Sequence, residues 1–378
     1  MQIEQLFFDS DGHQQIAAKL SLQDKAQFVL IFGAKKRLLS HEIYDELRQL
    51  YPNAYLIGGT TAGEIYGSMV TDNTVSATAV YMERTAVRFS AVNIEGGHCF
   101  EAAAQLVSNL PAEGLRHVFV LAEGININGS KLVEGLINRL PTNVTLSGGL
   151  VGDGISYKET FIIANAYPAR DRLTAIGFYG PHVRFGYASV GGWSPFGIER
   201  VITKSQDNVL YQFDDKPALA LYKEYLGDYA AGLPATGLYF PLMVRSPDHR
   251  RTFIRTIQRV NEAQDALVFS GDVPEGYYAK LMRSNFDRLI DGARQAAQKS
   301  IKMLGGNRAQ LAVLVSCVGR KLVLDQLIGE EVEVVQEVLN PEAVFTGFYS
   351  YGEISSPDKG AICELHNQTM TITLVAEE

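Results

Sequence analysis

The sequence has little cysteine and histidine, and it has no long apolar run. Three cysteines (Cys99, Cys317 and Cys363) are too few for a disulfide framework. None of the seven histidines lies in an H-E-x-x-H or C-x-x-C setting, so zinc motifs are missing. The clearest apolar run, residues 311–318, is far too short to cross a bilayer. Since residues 1–5 also lack the pattern of a signal peptide, we expect a cytoplasmic protein without a membrane span.

Positive charge is also in short supply. Lys and Arg total 34 against 42 Asp and Glu, which gives a net charge of −8. Phosphate neutralisation supplies most of the affinity for nucleic acids, so this balance argues against nucleic-acid binding and against an anionic membrane surface. The length of 378 residues and an apolar content of 46% suit two domains with a sizeable core.

An internal repeat is the main organising pattern. Segments 28–58, 118–148 and 312–347 each run from an apolar stretch through a helical pattern to a second apolar stretch that ends in glycine. The first two segments both place that glycine 30 residues after their start, and the third places it 35 residues after. Each segment predicts a β-loop-α-β unit, with Ser40 as the expected N-cap of the first helix.

Each copy ends on the same kind of turn, in which a second glycine is followed by an acidic residue. These acids are Glu64, Asp153 and Glu353. Alternating segments such as 75–81, 159–164 and 369–375 come next and predict hairpins that extend each parallel pair. We therefore predict an α/β fold of repeated β-loop-α-β units with added hairpins, forming mixed sheets covered by helices.

The chain between the second and third copies is less regular. It predicts a helix over 217–226, strands over 238–244, 251–261 and 266–270, and a long amphipathic helix over 286–304. The stretch 227–237 is rich in glycine and alanine and could act as a hinge. A boundary just before it divides the chain into residues 1–215 and 216–378.

Several enzyme motifs are absent. No G-x-G-x-x-G follows a predicted strand, and no G-x-S-x-G elbow occurs. The turn 58–63 has the glycines of a phosphate cradle, but Glu64 stands where a P-loop carries lysine, and a carboxylate there repels phosphate. Cys363 and His366 could supply half a metal site, but no second cluster completes it, and a structural role is the alternative.

Taken together, these segments resemble the FIST family of bacterial sensory proteins, with an N-terminal and a C-terminal FIST part. The resemblance rests on residues 57–65 (IGGTTAGEI), 148–153 (GGLVGD), 191–193 (GGW), 272–276 (DVPEG), 316–320 (SCVGR), 351–354 (YGEI) and 365–369 (LHNQT). It covers the chain from about residue 27 onward, so 1–215 is similar to FIST N and 216–378 to FIST C.

The resemblance implies a sensor that binds a small molecule and regulates a separate partner, such as a histidine kinase or a diguanylate cyclase. We expect its site at strand ends, near Glu64, Asp153, Cys317, Arg320, Glu353 and His366. Backbone N–H groups and acidic side chains there would suit an amino-acid-like ligand. The alternative is that the acids only cap turns, that Cys317 is a small core residue, and that Arg320 pairs with Glu353 or Glu64.

Some stand-alone members of the family are nitric-oxide sensors that bind haem and act in two-component systems, which makes haem a candidate cofactor. His366 is the first choice for its axial ligand, His182 the second and Cys317 the third. Other hypotheses stay open: an α/β enzyme using Glu353, His366 and Cys317 on a small metabolite, or an adaptor without a ligand. The protein could also form a homodimer.

Overall fold

The structure, a computed structural model, describes residues 1–11, 13–16, 20–339, 341–356 and 361–378. Its helices are α1 (Lys35–Leu38), α2 (Glu42–Leu50), α3 (Cys99–Ser108), α4 (Gly129–Arg139), α5 (Ala218–Leu226), α6 (Phe286–Leu304), α7 (Val318–Leu324) and α8 (Ile328–Val338). Short 3-10 helices cover Gln23–Lys25, Gly227–Gly232, Ala235–Tyr239, Glu262–Gln264 and Asp325–Leu327.

The strands fall into three similar groups and one inserted group. The first group is β1 (Gln2–Phe8), β2 (Gln14–Ile16), β3 (Phe28–Gly33), β4 (Tyr55–Thr60), β5 (Glu64–Tyr66), β6 (Met69–Thr71) and β7 (Val75–Tyr81). The second is β8 (Ala86–Asn93), β9 (Leu115–Ala122), β10 (Thr145–Leu150), β11 (Ile162–Ala164) and β12 (Arg172–Tyr179). The third is β13 (Val183–Val190), β23 (Leu311–Cys317), β24 (Val344–Ser350), β25 (Gly352–Ser355), β26 (Glu364–His366) and β27 (Met370–Glu377).

The inserted group interrupts the third. It comprises β14 (Ser194–Pro195), β15 (Arg200–Gln206), β16 (Val209–Phe213), β17 (Lys216–Pro217), β18 (Leu242–Arg245), β19 (Thr252–Arg255), β20 (Ile257–Asn261), β21 (Ala266–Phe269) and β22 (Tyr278–Arg283).

The three similar groups build three sheets of the same internal order, which confirms the predicted mixed α/β fold. Five strands run β1-β7-β3-β4-β11 in sheet one, β8-β12-β9-β10-β25 in sheet two and β13-β27-β23-β24-β5 in sheet three. In each sheet the third and fourth strands are parallel and their outer neighbours are antiparallel. The repeated segments of the sequence are therefore three copies of one structural unit.

The last strand in each of these orders comes from a different unit. Strand β5 follows β4 along the chain but pairs with β24 in sheet three, and β25 follows β24 but pairs with β10 in sheet two. Strand β11 follows β10 but pairs with β4 in sheet one. Each unit thus completes the sheet of another unit, and the three exchanges form a closed cycle.

One glycine in each unit explains why the spacing in the sequence is so regular. A Cβ atom on Gly58 would lie 1.8 Å from the carbonyl oxygen of Ile31, and one on Gly148 would lie 1.8 Å from that of Val120. The third equivalent, Gly347, would place its Cβ 2.0 Å from the carbonyl oxygen of Leu314. A side chain cannot be accommodated where the two parallel strands approach so closely, so only glycine fits at this position.

The three sheets share a central apolar core. Phe28, Phe119 and Val313, on the first parallel strand of each unit, belong to one buried cluster. Because side chains alternate along a strand, their neighbours face the opposite way, and Val118 and Ala312 pack with the helices outside. The sheets are therefore buried on both faces, as their uninterrupted apolar runs predict.

The inserted strands form a nine-stranded sheet, here called the inserted sheet, with its own apolar core. Strand β16 pairs with β17, so residues on both sides of the predicted boundary at 215/216 contribute to the same sheet. The division into 1–215 and 216–378 therefore does not separate two sheets, and the boundary between the two FIST parts stays a prediction from the sequence.

Some local predictions are wrong. Helix α2 begins at Glu42 rather than after Ser40, whose hydroxyl donates to the carbonyl of Arg37 at 2.9 Å instead of capping. The strand predicted over 238–244 begins only at Leu242, because residues 235–239 form a 3-10 helix. The sequence analysis also misses β15, β16 and β22. Strand β15 is mostly polar, whereas β16 and β22 do bury apolar side chains, namely Leu210, Phe213, Ala279, Leu281 and Met282.

Candidate functional site

Two of the predicted acids occupy the same position in their units. Glu64 accepts hydrogen bonds from the Thr61 hydroxyl at 2.5 Å and from the backbone and hydroxyl of Thr74 at 3.2 and 2.7 Å. Glu353 accepts the corresponding bonds from Ser350 at 2.6 Å and from Thr369 at 3.1 and 2.8 Å. Each carboxylate thus ties its turn to the strand that follows.

Burial is the main influence on the pKa values of these two acids. Glu64 is 1% exposed and Glu353 is fully buried. Burial raises the pKa of Glu64 to about 7 and that of Glu353 to about 8, against the hydrogen bonds that favour the charged form. The hydrogen bonds that both acids accept from their own turns support the turn-capping alternative for both.

Asp153 does not share this arrangement. It lies five residues after Gly148, whereas Glu64 and Glu353 lie six residues after their equivalent glycines. Its carboxylate accepts hydrogen bonds from the Tyr351 hydroxyl, from Ser156 Oγ at 2.5 Å and from the backbone amides of Lys158 and Glu159, both at 3.0 Å. The residue therefore holds the longer loop between β10 and β11 in place.

Cys317 and Arg320 are structural in this arrangement. Cys317 precedes α7 and is 1% exposed, and burial raises the pKa of its thiol. Arg320 is fully buried and donates from Nε to Glu331 at 2.6 Å and to the carbonyls of Gly191 and Leu289 at 3.0 and 2.7 Å. The expected ion pair of Arg320 exists, but its partner is Glu331 and not Glu64 or Glu353.

The predicted site residues gather only in part. Asp153, Cys317 and Glu353 all lie near the partly buried Tyr157, whose pKa is raised by burial and then by these groups, and the Tyr157 ring stacks on Tyr351 with 4.1 Å between ring centroids. His366 lies opposite Glu353 in the pairing of β25 with β26. Arg320 lies near Cys317 and Glu353 and favours their charged forms, although its ion pair is with Glu331. Glu64 lies elsewhere, in the pairing of β5 with β24.

The two histidines do not fit a haem site in this arrangement. His366 Nε2 is 2.9 Å from the carbonyl oxygen of Ser355, and burial lowers the pKa of the ring. His182 Nε2 lies 3.0 Å from Arg84 Nη2. Neither lines a described cavity of porphyrin size, and no group of three or more His, Cys, Asp or Glu in the described residues could hold a metal ion. Cys317, the third choice, is as buried as the core around it.

A cavity of about 440 Å³ lies where the inserted sheet meets the second unit. We call it the Arg255 cavity. It is lined by Ser130, Val133, Glu134 and Ile137 of α4, by Phe253 and Arg255 of β19 with the preceding Arg251, by Asp272 and Pro274, and by residues 362–365. Its volume is in the range of small-molecule sites, and its lining combines apolar walls with a few charged groups, as such sites do.

Arg255 is the distinctive group of this cavity. Its side chain is 5% exposed, and its guanidinium lies 4.2 Å from the centroid of the Phe253 ring. It donates to the carbonyls of Asp272 at 2.9 Å, Ile254 at 3.0 Å and Leu365 at 3.3 Å, and to Ser130 Oγ at 3.1 Å. Within the described residues each bond ends on a neutral oxygen, so a buried positive charge is not directly paired.

The close packing beneath Arg255 depends on two glycines. A Cβ atom on Gly271 would lie 2.6 Å from Ser130 Oγ, and one on Gly129 would lie 2.7 Å from a methyl group of Leu365. The sequence pattern does not predict Arg255 or Ser130. The only signal is that two family-like segments, 272–276 and 365–369, contribute Asp272, Pro274 and Leu365 to the wall.

The family is shown by two matches that together span most of the chain. A model of the FIST N domain matches residues 27–216, and one of the FIST C domain matches residues 218–356. FIST domains are sensor domains of signal transduction that bind small ligands. The chain belongs to the FIST family.

More distant likenesses are also found. The chain is 24% identical over 269 residues to the uncharacterized protein MJ1623 of Methanocaldococcus jannaschii, which covers 64% of the chain and 50% of that protein. The match therefore spans about half the length of this relative.

Among the helices of the described residues, none has the length and apolar character needed to cross a membrane.

Two solved structures are similar over most of their length but only weakly. A chorismatase is 9% identical with a TM-score of 0.39, and covers 99% of this chain and 98% of its own. A cyanuric acid hydrolase from A. caulinodans is 7% identical with a TM-score of 0.39, and covers 94% of this chain and 90% of its own. Likeness at this level assigns neither a fold nor an activity to the chain.

Proposed function

We propose that this protein is a sensor rather than an enzyme, and that its small ligand binds in the Arg255 cavity. The observation that carries the proposal is the position of this cavity, since one wall belongs to the inserted sheet and the opposite wall to α4. A ligand that contacts both walls would favour one relative position of the two, and binding energy would become a structural signal.

The lining of the cavity supports binding more than catalysis. Its only thiol among the described lining residues is Cys363, whose pKa is raised by burial, and no histidine accompanies it. Glu353, His366 and Cys317, which the enzyme hypothesis uses, do not line this cavity. Ser130 Oγ is held by Arg255 and by the backbone amide of Asp272 rather than by a base, so the described lining residues do not assemble an activated nucleophile.

The signalling partner we propose is a separate histidine kinase or diguanylate cyclase, as the family resemblance implies. Purified candidates can be tested by following autophosphorylation or cyclic dinucleotide formation with the protein present, with and without ligand. Haem and nitric-oxide sensing are not part of this proposal, because the hydrogen bonds of His366 and His182 do not suit an axial ligand. Dimerisation likewise stays a prediction, which sedimentation can test.

The ligand site itself can be tested by blocking it. A metabolite library is screened by thermal shift on the parent protein and on Ile137→Trp, which places an indole in the cavity. Gln105→Trp, on the exposed face of α3, is the matched control. We expect ligands to stabilise the parent and the control but not Ile137→Trp; equal stabilisation of all three would contradict the proposed site.

A further inference from the structure

The hydroxyl oxygen of Ser130 accepts two hydrogen bonds. It accepts one hydrogen bond from Arg255 Nη2 at 3.1 Å and another from the backbone amide of Asp272 at 3.0 Å. A serine oxygen has two acceptor positions and one hydrogen to donate. Since both acceptor positions are taken, the remaining hydrogen of Ser130 is available to an acceptor from outside.

Arg255 also has donor capacity left. A guanidinium has five N–H groups, and its bonds to the described residues use one on Nε, two on Nη1 and one on Nη2. The second N–H of Nη2 is therefore available beside the Ser130 hydroxyl. Two donors about 3.1 Å apart suit the two oxygens of one carboxylate group.

The electrostatics of the site favour an anion. Burial lowers the pKa of Arg255 only to about 10, so the group is charged at neutral pH. Ser130 lies in the first turn of α4, an 11-residue helix whose N-terminus carries partial positive charge. Of the acids around the cavity, Glu364 pairs with Arg251 at 2.8 Å and Glu134 with Lys131 at 3.3 Å. Asp272 accepts a hydrogen bond from the side-chain amide of Asn128 at 2.6 Å, and its charge acts on Arg255 without a direct ion pair.

The rest of the cavity favours an apolar body on the ligand. Val133, Ile137, Ile362 and Leu365 supply aliphatic walls, and Phe253 supplies an aromatic one. Ile362 is 71% exposed, which is unusual for a large aliphatic side chain and leaves apolar surface at the rim. A short branched hydrocarbon chain would cover this surface.

We infer that the Arg255 cavity binds a small organic acid with an apolar chain, and that Arg255 and Ser130 recognise its carboxylate. This inference rests on the proposed function and adds the chemical class of the ligand. Neutral molecules of the same shape should bind less well, because a carboxylate accepts stronger hydrogen bonds from a guanidinium than a neutral oxygen does.

The test uses 4-methylpentanoate and its neutral amide in titration calorimetry on the full chain. A hydrogen bond to a charged group contributes about 1.5–3 kcal/mol, so we expect the amide to bind about tenfold to a hundredfold more weakly. Ser130→Ala should weaken the acid about tenfold, and Ser130→Asp should abolish its binding by repulsion. Ser108→Ala, on the exposed side of α3, is the matched control and should change nothing.

Arg255→Gln should equalise the acid and the amide, and circular dichroism shows whether this variant folds. If it does not, the Ser130 variants still decide. Leucine and 4-methyl-2-oxopentanoate serve as further acids, and binding of either that is lost in Ser130→Asp supports the inference. Equal affinity for acid and amide, acid binding unaffected by Ser130→Asp, or no binding by any of these acids overturns it. If a neutral ligand stabilises the parent protein but not Ile137→Trp, the ligand site in the Arg255 cavity is still supported although the ligand is not an acid. If no library compound distinguishes the parent protein from Ile137→Trp, the proposed function is contradicted too.

Discussion

Arg320 and Glu331 form an ion pair in which neither side chain is accessible to solvent, with 2.5 Å between Nη2 and Oε1. Glu331 accepts further hydrogen bonds from Ser316 at 3.0 Å and from Tyr349 at 2.9 Å. The pair therefore joins α7, α8 and the two parallel strands of the third unit into one network.

Breaking this pair on one side should be costly. We expect Arg320→Met to lower the free energy of unfolding by about 3–5 kcal/mol, because it leaves a buried carboxylate without its partner. Arg320→Met combined with Glu331→Leu should recover part of that loss. Urea denaturation measures both, and Arg308→Met, in a pair whose side chains are 69% and 71% exposed, is the control. A single variant as stable as the control would contradict the role assigned to the pair.

The buried acids should make stability depend on pH. The pKa of Glu353 is raised from 4.5 to about 8, so the folded protein binds a proton that the unfolded chain has already released between these values. The stability from this group is fully present below pH 4.5 and is lost as the pH rises through about 8. Glu64 contributes in the same direction up to about pH 7.

Glu353→Gln should therefore flatten the fall in unfolding free energy between about pH 5 and about pH 8. Denaturation curves at each pH give the slope, whatever the absolute stability of the variant. Glu101→Gln, at a side chain that is 69% exposed, should leave the slope unchanged. A slope identical to the parent's in Glu353→Gln would show that this carboxyl is ionised throughout the range.

The close approach at Gly347 predicts a sharp contrast between two glycines. Gly347→Ala forces a methyl group against the Leu314 carbonyl, and we expect a loss of about 1–3 kcal/mol or more. Gly329 lies in α8, where an added methyl group would have Glu333 Oε1 as its nearest neighbour, 3.9 Å away. Gly329→Ala should be neutral or stabilising by up to about 1 kcal/mol. Thermal unfolding of both variants decides, and equal effects would refute the explanation of the repeat glycines.

An absorbance spectrum tests directly whether the protein binds haem. Because His366 and His182 are engaged by Ser355 and Arg84, we expect protein made with a haem precursor to show no Soret band. A Soret band that disappears in His366→Ala or in His182→Ala would instead reinstate that residue as the axial ligand.

The sequence predicts the repeats well because their signals are local. Apolar runs such as 28–32 and 311–315 identify the first parallel strand of each unit. The glycine on the second parallel strand marks the close contact between the two strands that every copy makes. The same signals do not say that β5 pairs with β24, because strand exchange is decided by tertiary packing. The glycine-acid spacing identifies Glu64 and Glu353 as special positions, but their burial and their Thr partners give them a structural role.

The Arg255 cavity is hidden from the sequence for a related reason. Ser130 and Arg255 are 125 positions apart and meet only when the inserted sheet lies against α4. A buried arginine has no distinctive pattern in a sequence, since arginine is normally an exposed residue. The segment 272–276 is recognisable as a motif, but Arg255, whose guanidinium donates to the carbonyl of Asp272, lies on β19.

The cyclic exchange of edge strands also bears on how the chain is made. Strand β5 leaves the ribosome early, yet β24, the strand it pairs with, is among the last to be synthesised. Strand β5 must therefore wait for its partner until the third unit has emerged, and sheet two waits in the same way for β25. A chain cut between its units would leave each fragment with a missing neighbour, so the smallest part that can close all three sheets is the full set of units.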